Sequence, residues 1–361
     1  MLLKVANQKP SVPFWNEKPE NLFAGIEQER FIFHENGTAP TLDEIKSVFE
    51  NLISNGFIAR KLDYDGRPLA VNQDSEFGYL SIKNDFATHI VEAAFPPISD
   101  SVDLMIYMDK TWLAISRAAS TVGLRIQEGA LISQLPPRFQ LVPHERREWL
   151  PNRVVPKVPS FYWHKYFNVL MCSTQVHLNI LDRKFYTYLP AFYSHEYLVP
   201  LLFSNSPVNG KLKAHCARPL IWRDSFDNNY QAFAIPKDLP TTPEQYDLFL
   251  KRSSDFQRDY TFIAPRSFGS AEFRTACAQD TLDQIMQVAV LRMAIVIAAS
   301  VGKLPIISGA RDYFYEVCQN GTSSKEVNSV SYQALSEGAH LLPARWRKFI
   351  DPTLERLKRI S

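Results

Sequence analysis

In the stretch GIEQERFIF, residues 25–33, two glutamates, Glu27 and Glu29, stand two positions apart in a run that also holds Ile26, Phe31, Ile32 and Phe33. That spacing constrains the fold more than any other feature of the chain. Residues two apart on a strand share a face, so both carboxylates point one way while Ile26 and Gln28 point the other. Carboxylates are poor strand formers and rarely enter a core unpaired. Two on one face repel each other unless something positive sits between them. Taken alone, the segment reads as a solvated strand edge with two surface glutamates.

The arrangement recurs, however. CSTQVHLNI, residues 172–180, sets Thr174, Val176 and Leu178 against Gln175, His177 and Asn179. SAEFRTA, residues 270–276, puts Glu272 and Arg274 on one face. In THIVEAAF, residues 88–95, Glu92 is the only charge, and its same-face neighbours Ile90 and Ala94 offer no partner. A buried carboxylate there needs a cation or donors from elsewhere. If the four polar faces converge, they form a carboxylate-rich cleft with one imidazole. Hard cations answer the repulsion, since Mg²⁺ prefers oxygen ligands. Glutamates on neighbouring strands can hold two or three such ions around a nucleotide polyphosphate. One histidine among carboxylates does not point to structural zinc.

The remaining features bound the class. The chain has 361 residues, 45% hydrophobic and 22% charged, a globular profile that supplies a sizeable core. A formal net charge of +2 is too small to argue for nucleic acid or an anionic membrane surface as partner. Cys172, Cys216, Cys277 and Cys318 lie far apart with no CxxC pair, which reads as reduced thiols in a cytoplasmic protein. The N-terminus lacks the long apolar core of a signal peptide. The most apolar stretch, 285–302, carries Gln287 and Arg292 and reads as a core helix rather than a membrane span.

Helix signals mark 41–56, with Thr41 and Glu44 as a capping box and Gly56 as a stop, then 100–123 and 280–302. The basic tail, from RWRKFI to ERLKRIS, reads as a final helix with its cations in water. Strand signals mark 24–33, 57–63, 68–73, 88–95, 171–181, 217–222 and 269–277, and a proline-rich spacer occupies 135–159. Strands in clusters predict an α+β fold with a mainly antiparallel sheet. No composition break divides the chain, so residues 1–361 read as one domain, with the polar motifs in 22–280 and a helical part over 281–361.

These segments, in this order, resemble the glutamate–cysteine ligase family and its carboxylate–amine ligase relatives of the glutamine-synthetase superfamily. GIEQERFIF is similar to the family's opening Gly-hydrophobic-Glu-x-Glu strand. NDFATHIVEAAFPPI resembles the second acidic segment of the bacterial ligases, whose positions here are Asp85 and Glu92. MCSTQVHLNI resembles the central strand, CARPLIWRDSFDNNY the Arg-x-x-Ile-Trp segment of plant-type members, and GSAEFRTACAQD the late Glu-x-Arg strand. The glycine-rich Leu-Glu-Pro-Gly-Gly stretch of the plant-type ligases is absent, which leaves the acceptor amine open.

The resemblance implies a curved, mainly antiparallel sheet with helices on its outer face. It implies Glu27, Glu29, Asp85, Glu92, His177 and Glu272 as ligands of two or three Mg²⁺ or Mn²⁺ ions, with Glu27 and Glu29 central to catalysis. Arg274 would sit on the ATP phosphates or the acyl phosphate, Arg218 on a substrate carboxylate, and Asn179 near substrate or metal. The implied reaction is ATP-dependent amide formation through an acyl phosphate, with glutamate as donor and cysteine as acceptor. Another amine or a peptide as substrate, a catalytically silent nucleotide- or amino-acid-binding member, and a metal-dependent hydrolase are the other readings. Arg274 separates ligase from hydrolase, because hydrolysis needs no arginine for an acyl phosphate.

Overall fold

The alternation at 25–33 becomes the middle of a large sheet. The computed structural model describes residues 16–142, 167–181, 184–209, 213–225, 235, 240–252, 261–266 and 269–361. Its strands are β1 (Ala24–His34), β2 (Ile58–Leu62), β3 (Pro68–Ser75), β4 (Gly78–Asn84), β5 (Ile90–Ala94), β6 (Leu124–Gln127), β7 (Thr174–Leu178), β8 (Ile263–Pro265) and β9 (Ala271–Phe273). They form one nine-stranded sheet in the order β2-β3-β4-β5-β1-β7-β9-β8, with β6 also paired to β1. The pairings between these strands are antiparallel, as the clustering of strand signals predicts.

β1 is the junction. Along one edge it pairs with β5 over Glu27–Phe31. Along the other, β7 takes Ala24–Gln28 and β6 takes Phe31–His34. The two glutamates therefore sit where strands converge. The sheet is open, and the site residues meet because their strands are neighbours in this order; the expected curvature is not what brings them together.

The other face of the sheet carries the core. Ile26, Ile82, Ala93, Val176 and Phe273 on it are buried. Arg30, on the same side of β1 as Ile26, lies over the Trp112 ring of α2 (Ser101–Ser120) at 4.7 Å, which fixes the side that this helix covers. α1 (Leu42–Ser54) packs against β3 and α2. Its capping box forms as read: Thr41 Oγ1 accepts from Glu44 N at 3.2 Å, and Glu44 Oε2 accepts from Thr41 N at 2.7 Å. Then follow α3 (Phe185–Ser194), α4 (Leu198–Phe203), α5 (Ala217–Ser225), α6 (Pro243–Arg252), α7 (Leu282–Ser300), α8 (Ala310–Asn320), α9 (Lys325–Leu341), α10 (Ala344–Arg347) and α11 (Asp351–Arg359).

α7 is long and apolar enough to cross a membrane, but 78% of that window is buried inside the protein. Arg292 in its middle is held by Glu196, with Nη2 donating to Oε2 at 2.9 Å. α9 crosses α7 at Gly338, so closely that a Cβ there would meet Ala294 O at 2.4 Å. All four cysteines are free and buried.

Several boundaries differ from expectation. Residues 217–222, expected as a strand, lie in helix α5. All of 217–222 is buried, so burial shows neither period, and a short apolar run does not separate the two states by itself. β4, β6 and β8 fall outside the expected strands, and those expected over 171–181 and 269–277 shorten to β7 and β9. In the basic tail Arg356 turns inward, donating to Leu202 O at 2.8 Å and Gln287 Oε1 at 2.9 Å. The proline-rich spacer beyond residue 142 and FDNNY, 226–230, lie outside the described residues. At the outer edge, β2 is exposed throughout, and its pairing with β3 slips between Ala59 and Lys61 and again between Lys61 and Leu62.

Candidate active site

The register lines up one polar face across five adjacent strands. Lys83 of β4 stands opposite Glu92 of β5, and Glu92 opposite Glu29 of β1. Glu27 stands opposite Gln175 of β7, Gly25 opposite His177, and His177 opposite Glu272 of β9. Period-two geometry then puts all of these side chains on the face away from α2. Gly25 has a use here, because a Cβ at that point would lie 3.2 Å from Phe95 O and 3.5 Å from His177 Cβ.

The two glutamates whose proximity posed the problem are parted into separate clusters. Glu27, His177 and Glu272 form one, and Glu29, Asp85 and Glu92 the other; within each, one ligand atom per residue lies within 4.8 Å of the others. Asp85 and Glu92 are seven apart, so a regular strand would oppose them. A turn intervenes: Ala87 N bonds Asp85 O at 2.7 Å, and Phe86 takes a left-handed φ of 58°. Asn84 pins the turn by donating to Thr88 O at 3.0 Å and Ile90 O at 2.9 Å. A left-handed conformation at an aromatic residue is strained and persists only where its surroundings enforce it.

The clusters differ in their electrostatics. In the first, His177 Nε2 lies 3.1 Å from Glu27 Oε1 and 3.9 Å from Glu272 Oε1, and its Nδ1 meets Ser270 Oγ at 3.2 Å. Burial works against the charge of Glu27, but His177, Lys83 and Arg274 outweigh it and hold this carboxyl at about 2. Burial also opposes the imidazolium, yet Glu27 and Glu272 raise His177 above its ordinary value. In the second cluster, burial and the Asp85 charge push Glu29 up to about 7 against the pull of Arg218 and Ser173. Glu92 is raised well above the carboxylate range, by burial first and then by Glu27, Asp85 and Glu29, with Lys83 opposing. A tight set of carboxylates that resists full ionisation is a set short of positive charge.

Among the described residues, four cations surround the face. Lys83 Nζ is 3.0 Å from Glu92 Oε1, the partner from elsewhere that the sequence demanded for Glu92. The Glu92 charge above all, with Asp85 and Glu27, raises Lys83 against the partial desolvation of its ammonium. Arg266 pairs with Glu272, and Arg274 Nε lies 3.4 Å from Glu272 Oε1. Arg218, buried on α5, spends Nη1 on the carbonyls of Arg274 at 2.9 Å and Thr275 at 3.2 Å. It thus braces the segment that carries Arg274. Gln175 joins the clusters: its Nε2 donates to Glu29 Oε1 at 3.1 Å, and its Oε1 accepts from Arg274 Nε at 3.2 Å. Ser173 N completes the hold on Glu29 at 2.7 Å.

Of the predicted site residues, the six ligand candidates and Arg274 come together on this face. Arg218 reaches it from a helix, not a strand. Asn179 ties β7 to the chain before β1: its Oδ1 accepts from Phe23 N and its Nδ2 donates to Asn21 O, each at 2.9 Å. Lys83 and Arg266 were not read from the sequence. Lys83 matters through its cross-strand position, and β4 itself had been missed.

No protein-family model matches the sequence, and no curated protein matches it. Solved structures do match. A bifunctional glutathione synthetase from Pasteurella multocida aligns with a TM-score of 0.61 at 12% identity, over 93% of this chain and 47% of that one. The glutamate–cysteine ligase of Francisella tularensis in complex with AMP aligns with a TM-score of 0.59 at 11% identity, over 94% of this chain and 82% of that one. The ligase PafA, in its complex with the prokaryotic ubiquitin-like protein Pup, aligns with a TM-score of 0.52 at 9% identity, over 94% of this chain and 64% of that one. The chain has the fold of these ligases. It spans about half the length of the first of them and most of the second. At such identities the likeness is one of fold.

The donor set suits hard divalent cations. Five carboxylates and one imidazole, with no thiolate among them, match Mg²⁺ or Mn²⁺ better than zinc or copper. The upward displacement of Glu29 and Glu92 is the second mark of fit, since a divalent cation would relieve it.

Proposed function

We propose that the protein is an ATP-dependent carboxylate–amine ligase of the glutamate–cysteine ligase kind, forming γ-glutamylcysteine from glutamate and cysteine through a γ-glutamyl phosphate. The observation that carries this reading is the pair of carboxylate-rich clusters side by side on one sheet face, joined by Gln175 to an arginine at their rim. Two or three Mg²⁺ or Mn²⁺ ions would be held by Glu27, His177 and Glu272 and by Glu29, Asp85 and Glu92. Such ions supply charge neutralisation on the phosphoryl oxygens and fix their orientation.

The chain's own residues supply the rest. A carboxylate is a poor electrophile because its anionic oxygen cannot leave; phosphorylation gives it a leaving group, and the amine then displaces phosphate. The protein must hold two anions together and stabilise charge on the transferring group. Arg274 meets the second need, with a planar fork that matches phosphate oxygens. Arg218 acts on the reaction by bracing residues 274 and 275, and its charge lies close to Glu29. Gln175 fixes Glu29 and Arg274 relative to each other. We place the enzyme in the cytoplasm, on its reduced cysteines.

Phosphate release from ATP and Mg²⁺, measured across single amino acids and pairs, tests the reading. Release that requires glutamate together with cysteine, with γ-glutamylcysteine as product, supports it. Release with another amine or a peptide in place of cysteine keeps the ligase and changes the acceptor. Release without any amine makes the protein a hydrolase, and no release under any condition makes it a binding protein.

A further inference from the structure

Glu92 is among the most buried carboxylates of the site, at 3% exposure, and no residue of its own strand face can neutralise it. Its charge partner comes from the neighbouring strand. Lys83 stands opposite it in register, and the ammonium nitrogen approaches Oε1 to 3.0 Å. The two side chains are very unlike in exposure, 42% for Lys83 against 4% for Glu92. Lys83 thus enters from the solvent side and places its single charge over a cluster in which three carboxylate oxygens lie within 4.8 Å of one another. An oxygen that accepts an ammonium in this way presents the same lone pairs that a metal ion needs at about 2.0–2.6 Å.

We propose that Lys83 is a built-in counter-ion of the Glu29–Asp85–Glu92 cluster, occupying the Glu92 oxygen until a divalent cation takes it, and thereby setting the affinity at which this cluster loads. The inference rests on the reading of the cluster as a metal site. The four-carbon stem of lysine suits exchange, because it swings toward solvent without moving the backbone, and a compact ammonium is readily rehydrated. The Glu27–His177–Glu272 cluster is built otherwise. Its cations are Arg266 and Arg274 on Glu272, and its third member is an imidazole that can itself ligate a metal. The two clusters therefore differ in what must move before an ion binds, and Lys83 makes its direct ion pair with a carboxylate of the second cluster.

Mn²⁺ titration followed by electron paramagnetic resonance, without nucleotide and at pH 8.5, tests this on the full chain. Wild type, Lys83→Met, Lys83→Arg, Glu92→Gln and the Lys83→Met/Glu92→Gln pair are compared, each first shown to fold by circular dichroism. Lys83→Met should bind one Mn²⁺ about tenfold more tightly than wild type, the scale of losing one repelling charge at contact distance. Lys83→Arg, which keeps the charge, should stay close to wild type. In the Glu92→Gln background Lys83→Met should change little, because the oxygen at issue has lost its charge; a merely structural lysine would give the same effect in both backgrounds. Wild type that binds Mn²⁺ with unchanged or weaker binding in Lys83→Met overturns the Lys83 inference and leaves the ligase reading standing. Wild type that binds no Mn²⁺ overturns both.

Discussion

Glu27 and Glu29, two residues apart and on one face, are displaced in opposite directions, to about 2 and about 7. The consequence is a pH signature. Burial and Asp85 raise Glu29 above the ordinary 4.5, so the folded protein keeps a proton that the unfolded chain releases. Its contribution is complete below about pH 4.5 and is lost as pH rises through about 7. Glu27 acts in reverse, contributing above about 4.5 and losing that contribution as pH falls toward 2. Urea midpoints of metal-free protein at pH 5 and pH 8 should therefore fall further in wild type than in Glu29→Gln. An equal fall in both would show that Glu29 does not keep its proton. Arg274→Lys should lower kcat for phosphate release about a hundredfold, the cost of losing one donor aimed at developing charge, with a smaller change in KM. A kcat within threefold of wild type would remove Arg274 from the transition state. At this scale the sequence was informative about residue types that period-two alternation singles out. It was silent on Lys83 and Arg266, because an ordinary lysine or arginine acquires meaning only from the strand placed beside it.

Elements were legible where local chemistry decides them. The capping box at Thr41 and Glu44 marked the start of α1 without help from the rest of the fold. Segment 217–222 was not legible, since a short apolar run suits strand and helix equally and only its packing against α8 settles it. The β4 strand was hidden because its buried residues, Leu80, Ile82 and Asn84, include a polar one. The close crossing of α7 and α9 allows a test of packing against propensity. Alanine is favoured over glycine inside a helix by about 1 kcal/mol. At Gly338 the new Cβ would lie 2.4 Å from a carbonyl oxygen and 3.2 Å from Ala298 Cβ, so the helices must part. Overpacking of this kind costs about 1–3 kcal/mol, and against rigid backbone the upper end applies. Gly338→Ala should lower the urea midpoint, while an increase would mean that α9 shifts without penalty.

For the whole molecule, the α+β class, the antiparallel sheet and the buried α7 all followed from the sequence, because they depend on period and clustering. Strand order did not follow, since adjacency of distant segments leaves no local trace, and strand order is what assembles the site. If the two clusters bind divalent cations, the folded state gains over the unfolded one by mass action, about 2.7 kcal/mol at a hundredfold excess over Kd. Thermal unfolding should thus shift upward with Mn²⁺ and return with chelator, and Glu27→Gln should reduce the shift. No shift in wild type would argue against a metal site on this face.

Among the described residues the sheet ends at β2, whose outer row of backbone groups meets no further described strand. Ile58 and Leu62 on it are each 56% exposed, a surface that would invite a second chain to extend the sheet. Two slips of register around Lys61 break the regular ladder that such an added strand would need, and Arg60 and Lys61 would meet their own like charges in an in-register copy. The irregular edge thus works as a guard against fibrous self-association, and a smoothed β2 without its basic pair would leave the protein open to it.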